Sequence, residues 1–298
     1  MGSNKCDLKL RARDETLAPE DLVHDRADAL PPAQFLVDRY LAGLLVRFRC
    51  TLGRRDGVPG ARRLLRSSKP ARQGAEMTKV FVHGNPETTA VWGPLVAELN
   101  KRGVNDIVLL SPPGFGVASD PAFPATRNAY REWLAGQLKS IGGRIDLVGH
   151  DWGAGHTFGI VAHHRELVST WAADCGGLLH PDYVWHELAQ GWQTPEVGEQ
   201  MIAGWTDLSN ADKIGLYTSF GIPEDIATNF AQWLNEDMGR CILAVYRSAA
   251  QPDMIQLGQR AFTADHSRGL VIVPPADPFV GAPEVTGLPC NPLTTGPG

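Results

Sequence analysis

Along residues 77–175 the apolar positions switch repeatedly between two patterns, short continuous runs and stripes at helical spacing. Residues 79–83 (KVFVH) make a short β-rich run that ends in the turn Gly84-Asn85-Pro86. Residues 91–102 place Trp92, Leu95, Val96 and Leu99 on one helical face. Residues 106–110 (DIVLL) are a continuous apolar run, stopped by Ser111-Pro112-Pro113-Gly114. Such a run predicts a strand buried on both faces in a parallel sheet. A helix is expected over 126–141, with Tyr130, Trp133, Leu134, Leu138 and Ile141 as its stripe, then a strand over 146–149. A helix over about 153–164 and a strand over 168–175 follow. This alternation predicts an α/β chain: a mostly parallel sheet with helices on both faces. It pauses over 176–235, which lacks a buried-strand pattern, is rich in Trp and Tyr, and is broken by Pro181, Pro195 and Pro223. That stretch reads as a mostly helical insertion. Alternation resumes with a helix over about 237–250 and a strand over 269–274 (GLVIVP).

Residues 1–76 do not share the pattern. The first thirty are charged and unpatterned, and 54–76 is rich in Arg, Gly and Ser, as a solvated linker would be. Between them, residues 32–52 read either as a helix through Phe35, Leu36, Tyr40, Leu44 and Leu45 or as a strand through Val46, Phe48, Cys50 and Leu52. The expected organisation is a disordered or weakly helical extension over 1–76, a first core part over 77–175, the helical insertion over 176–235, and a second core part over 236–298 with an irregular tail from about 281.

Charge and cysteine usage narrow the function classes. Residues 1–76 carry 15 Lys and Arg against 10 Asp and Glu, so with −5 overall the remaining 222 residues hold a net −10. An acidic body argues against nucleic acid as the main partner, because phosphate neutralisation needs clustered Lys and Arg. The five cysteines are far apart and form no C-x-x-C, which favours reduced thiols in a cytoplasmic protein over disulfides or a zinc site. No cluster has metal-ligand spacing, so neither metal nor cofactor is implied. No run of about 18 apolar residues predicts a spanning helix, and the start lacks the apolar core of a secretory signal. No membrane partner is expected, and the chain is read as a monomer or homodimer.

The strongest chemical signal is L-V-G-H-D-W-G-A-G, Leu147 to Gly155. A strand, a sharp turn and a helix with glycines flanking the central residue are the context of a nucleophile elbow, here with Asp151 where other elbows hold Ser. The turn exposes the Asp151 side chain at the sheet's carboxyl edge. The helix N-terminus beneath it supplies N–H groups and partial positive charge, expected to keep the carboxylate ionised. An ionised carboxylate needs no base to attack an sp³ carbon carrying a leaving group; the resulting alkyl ester is then hydrolysed by activated water. The competing reading is an ordinary helix-capping Asp. Two elements earlier, His83-Gly84-Asn85-Pro86 follows a strand where the second donor of an oxyanion hole belongs, so the N–H groups of Asn85 and Trp152 are the expected pair.

Together H-G-N-P-E, S-P-P-G-F-G (Ser111 to Gly116) and G-H-D-W-G resemble the haloalkane dehalogenase and epoxide hydrolase branch of the α/β-hydrolases, over about residues 77–284. The resemblance implies that Asp151 is the nucleophile, that 176–235 is a cap over a small apolar substrate, and that Trp152 turns an indole N–H toward the leaving group. Asp277, in V-P-P-A-D-P-F, matches the acid of the catalytic triad. A halide would take N–H donors from Trp152 and the Asn85 side chain. An epoxide wants acidic O–H donors, for which the cap offers Tyr183 and Tyr217. Asn85 tips the reading toward carbon–halogen bonds, with epoxides as the alternative.

One part of that machinery is absent. None of the 21 residues after Asp277 is a histidine, and residues 281–298 (GAPEVTGLPCNPLTTGPG) are too rich in Pro, Gly and Thr for the final helix, strand and helix of such a fold. His83 and His150 belong to the turns already described, and His180 or His186 from the cap is the conceivable substitute base. The expectation is therefore that the last strand and helix are missing, as in a truncated or misassembled reading frame. The strand at 269–274 would then be an uncovered edge, with apolar sheet surface left wet at about 25 cal/mol per Å² and marginal solubility as a result. Three readings follow: a hydrolase of this branch, a non-catalytic binder of a small apolar ligand, or a fragment without function of its own.

Overall fold

The computed structural model describes residues 77–266, 268–273 and 279, with backbone alone at 291–294. The extension over 1–76, Asp277 and most of the tail lie outside the described residues.

Among the described residues six strands form one sheet in the order β2-β1-β3-β4-β5-β6, every neighbouring pair parallel. They are β1 (Met77–Val82), β2 (Ile107–Leu110), β3 (Arg144–Gly149), β4 (Thr170–Ala173), β5 (Gly269–Val273) and β6 (Asn291–Thr294). The alternation of side chains along each strand divides the core in two. Val80, Val82, Leu147, Trp171, Ala173, Val271 and Val273 point to one face, where they meet α2 (Arg127–Ile141), α3 (Trp152–His163) and α9 (Asp253–Thr263). Phe81, Val148, Ala172, Leu270 and Ile272 point to the other, where Leu95 and Leu99 of α1 (Gly93–Lys101) and Trp92 just before it cover them. The expected doubly covered parallel sheet is what the chain forms.

Local chemistry sets the helix ends. Thr126 caps α2 by accepting the Ala129 N–H on its hydroxyl, and Gly142 at φ 66° stops it. Between β4 and β5 the chain is helical: α4 (Glu187–Gln193), α5 (Val197–Thr206), α6 (Asn210–Ser219), α7 (Glu224–Ala231), α8 (Glu236–Arg247) and α9 follow one another. The buried faces of α4 to α9 join the same core as α2 and α3, so these helices and the sheet share one apolar interior.

Two expectations are corrected. The apolar run of β2 is not buried on both faces: Leu109 is 37% exposed and its neighbours are half-buried, β2 being first in the strand order among the described residues. A continuous apolar run cannot by itself separate an edge strand from a central one. At the other end, the edge of β5 is not uncovered: Asn291–Thr294 pairs with Leu270–Val273 as β6. Pro292 had argued against a strand, yet proline is tolerated in a strand at the end of a sheet, where a ladder N–H can be spared. Nor is the sheet wet at β5, since Leu270 and Ile272 are buried.

Candidate active site

β3 delivers the chain to the elbow and α3 takes it away. Asp151 between them has φ 51° and ψ −123°, a strained conformation for a residue with a Cβ. The strain is held by close packing. A methyl group at Gly153 would lie 2.0 Å from the carbonyl oxygen of Val82, and one at Gly84 would lie 2.0 Å from Asp151 Oδ1. Only glycine lets α3 and the β1 turn approach Asp151 this closely. Asp151 stands at the N-cap position of α3 but makes no side-chain capping bond, which sets aside the capping reading.

Its carboxylate faces the turn after β1 instead. The Asn85 N–H donates to Asp151 Oδ1 at 2.9 Å, and the neighbouring Trp152 N–H helps to lower the pKa of the same carboxylate. The two backbone donors expected to form an oxyanion hole thus converge on the side chain of Asp151. The Asn85 side chain is 6% exposed, and neither its amide N–H group nor its oxygen has a hydrogen-bond partner. Buried polar atoms are normally satisfied, so an idle amide beside a nucleophile marks a place where a ligand can be met.

The expectation that Asp151 stays readily ionised is reversed. Burial, and next the negative charge of Glu87, push its pKa up to about 7, against the opposing pull of His150 and the N–H groups of Asn85 and Trp152. Desolvation of a nearly enclosed carboxylate outweighs the helix terminus.

Behind the elbow lies a charged cluster that motif reading had missed. His150 Nδ1 contacts Asp174 Oδ2 at 2.5 Å, and His150 Nε2 lies 3.4 Å from Glu87 Oε1. Asp174 Oδ1 accepts the N–H of Asp151 at 3.0 Å, and Glu87 Oε2 accepts that of Gly84 at 3.2 Å. Burial opposes charge on His150, but Asp174 and Glu87 prevail and hold its pKa well above the ordinary value. Burial likewise opposes charge on Glu87, and His150 outweighs it, so Glu87 stays below the usual carboxylate range. Asp174 follows β4 directly, in T-W-A-A-D, so its one sequence signal was an acid at the carboxyl end of a strand. Asp277, the acid that the resemblance implies, lies outside the described residues.

An aromatic wall covers the other side. Trp152 stacks on Trp185, with centroids 5.9 Å apart, and meets the edge of Tyr246 at 5.2 Å. The Trp152 side chain lies close enough to the Tyr246 hydroxyl to oppose the rise that burial imposes on its pKa. Tyr246, on α8, is buried and feels the charge of Asp151. The two tyrosines singled out from the cap do other work. The Tyr183 hydroxyl donates to the carbonyl of Phe279 and that of Tyr217 to the carbonyl of Pro86, each at 2.8 Å. Of the two cap histidines, His186 accepts the Ala189 N–H on Nδ1 at the start of α4, and burial lowers its pKa to about 4. His180 Nδ1 similarly accepts the Asp182 N–H at 3.1 Å.

Among the described residues no group of three or more His, Cys, Asp or Glu could hold a metal ion, and no helix is long and apolar enough to cross a membrane. Residues 80–203 match the family model of the alpha/beta hydrolase fold. No curated protein matches the chain. Among solved structures, the haloalkane dehalogenase DbeA from Bradyrhizobium elkani is similar at 20% identity and a TM-score of 0.55, over 74% of this chain and 82% of that one. The epoxide hydrolase CorEH is similar at 14% identity and a TM-score of 0.52, over 67% and 75%. At these identities the likeness carries the fold and not the chemistry. In strand order and in its likeness to these structures, the chain has the α/β-hydrolase fold.

Proposed function

We propose that this protein forms a covalent alkyl ester on Asp151 from a small apolar haloalkane. The observation that carries the reading is the position of Asp151 Oδ1 at 2.9 Å from the Asn85 N–H, in a strained elbow built of glycines. With Oδ1 in the hole, Oδ2 is the oxygen left to attack. Its lone pair forms the new C–O bond as the carbon–halogen bond breaks and the halide leaves with the bonding pair. The idle Asn85 amide is the N–H donor suited to that halide. Oδ1 then becomes the carbonyl oxygen of the ester, already held where the oxyanion of a hydrolytic step would develop.

The segment over 176–235 acts in this reading as the cap, its Trp185 stacking on Trp152 while Tyr246 of α8 meets Trp152 edge-on, and together they exclude water. Hydrolysis needs a base with a lone pair to take a proton from water. Of the described imidazoles by the elbow, His150 has both nitrogens against carboxylate oxygens and offers none, and the neutral His83 has Nδ1 at the Gly84 carbonyl and Nε2 at the Ser111 hydroxyl. The ester therefore accumulates. Incubation with a bromoalkane should release about one equivalent of halide and add one alkyl group to the intact mass; an unmodified mass with every reactive haloalkane and epoxide tried would rule the proposal out.

Tyr246 favours a second reading, attack on an epoxide. Tyr246 is buried beside Trp152 and feels the charge of Asp151, so its hydroxyl is an O–H donor that could meet an opening ring oxygen. An epoxide would then add its whole mass to Asp151, whereas a haloalkane adds only its alkyl group.

A further inference from the structure

The three acidic side chains around the elbow come from separate segments: Glu87 after β1, Asp151 after β3 and Asp174 after β4. One imidazole, His150, is placed among them. A neutral imidazole has a single N–H and can donate to one acceptor only. Here both ring nitrogens face carboxylate oxygens, Nδ1 at 2.5 Å from Asp174 and Nε2 at 3.4 Å from Glu87, and the three side chains are at most 15% exposed. Buried carboxylates in this number need a compensating charge. Among the described neighbours, Trp92 meets the His150 ring edge-on, and His83 is neutral because burial lowers its pKa to about 4. From α8, Tyr246 faces Asp151 and burial holds it protonated.

We infer that His150 is a positioning residue, a fixed imidazolium between Glu87 and Asp174 that keeps Asp151 ionised for attack and, through Asp174, holds the Asp151 backbone in the elbow. This rests on the reading of Asp151 as nucleophile. The linkage to the backbone is the bond from the Asp151 N–H to Asp174 Oδ1 at 3.0 Å, on the same carboxylate that binds His150. The sign of the charge effect follows. Glu87 raises the pKa of Asp151 and His150 lowers it, so the cation offsets a repulsion that would otherwise keep a proton on the nucleophile. Asp151 titrates at about 7, and alkylation should rise with pH through that value in the wild-type protein.

The test measures alkylation rate against pH by intact mass, for the wild type, His150→Gln, Glu87→Gln and the double variant. Each variant lacking the imidazole should show its midpoint raised by about one unit or more over its parent, with the rate near pH 7 about tenfold lower and the high-pH plateau within about threefold. The Glu87→Gln background matters because in His150→Gln alone the extra proton could reside on Glu87 instead of Asp151. Coincident midpoints in both pairs, or loss of alkylation at every pH in a folded variant, would overturn the inference. If His150→Gln does not fold, nitrogen-15 NMR of histidine-labelled wild type decides. One buried imidazole should keep both N–H protons at pH values where an exposed imidazole has lost one, and its absence would overturn the inference. Absence of any wild-type adduct with that NMR signal intact would instead fail the nucleophile reading and leave the imidazolium standing.

Discussion

Replacing Asp151 with asparagine should make the protein more stable, and only above the acid range. Asp151 has its pKa raised from 3.8 to about 7 by folding, chiefly through burial and then through Glu87. A folded-state pKa above the unfolded one means the native protein binds a proton that the unfolded chain has released. Stability is then full below the unfolded pKa and is lost as pH rises through the folded one. At about 1.4 kcal/mol per unit, the charge on Asp151 costs the fold roughly 4 kcal/mol by pH 8. Asparagine keeps the shape and can still accept the Asn85 N–H, but carries no charge to bury. The gain of the variant over wild type should be small near pH 4, grow between pH 4 and 7, and level off. At roughly 2–4 °C per kcal/mol, the melting temperatures should differ by about 8–16 °C at pH 8. Urea titrations at half-unit pH intervals measure the difference, in which groups unaffected by the substitution cancel. A gain independent of pH, or a variant less stable than wild type at pH 8, would refute the burial argument.

Three other substitutions probe separate parts of the site. Gly153→Ala places a methyl group 2.0 Å from the carbonyl oxygen of Val82, a backbone atom, so α3 must pull away from β1. This should cost about 3 kcal/mol in denaturant unfolding and lower the alkylation rate by more than about 100-fold. Asn85→Ala should slow alkylation by a chloroalkane about 100-fold without loss of stability, because both polar atoms of the amide are buried without partners. Tyr246→Phe should slow the addition of an epoxide about 100-fold and that of a bromoalkane by less than about threefold, as read by intact mass; equal effects on both would remove Tyr246 as an oxygen-specific donor.

The parts of the fold that could be read in the sequence are those where one local pattern allows one structure. Residues 126–141 show a capping Thr, an unbroken apolar stripe and a terminal Gly, and α2 begins and ends at those signals. The elbow was legible for the same reason, since a strand, flanking glycines and a central acid leave little choice. Position in the sheet was not legible: β2 and β6 stand at the two ends of the described strand order, and neither apolarity nor a proline distinguishes end from middle. Helix α9 escaped because Gly258 stands in its middle, although Gly258 lets it pack against the backbone of Leu179. In the site, the backbone donors at Asn85 and Trp152 followed from the motifs. The environment of His150 did not, because its partners Glu87 and Asp174 come from different strands and meet it only in the folded sheet. Tyr246 was hidden for a related reason: in a helix it looks like any core aromatic until its hydroxyl is seen beside Trp152. The ionisation of Asp151 was misjudged because the helix terminus can be read from sequence, whereas the depth of burial cannot.

The central claim is that Asp151 is a nucleophile. The most direct measurement is intact and peptide-level mass after incubation with a bromoalkane at pH 8, for the wild type and Asp151→Asn. One alkyl group on the peptide bearing Asp151, absent from the variant, is the predicted result. No alkyl group on the wild type, or the same labelling in both proteins, would contradict it.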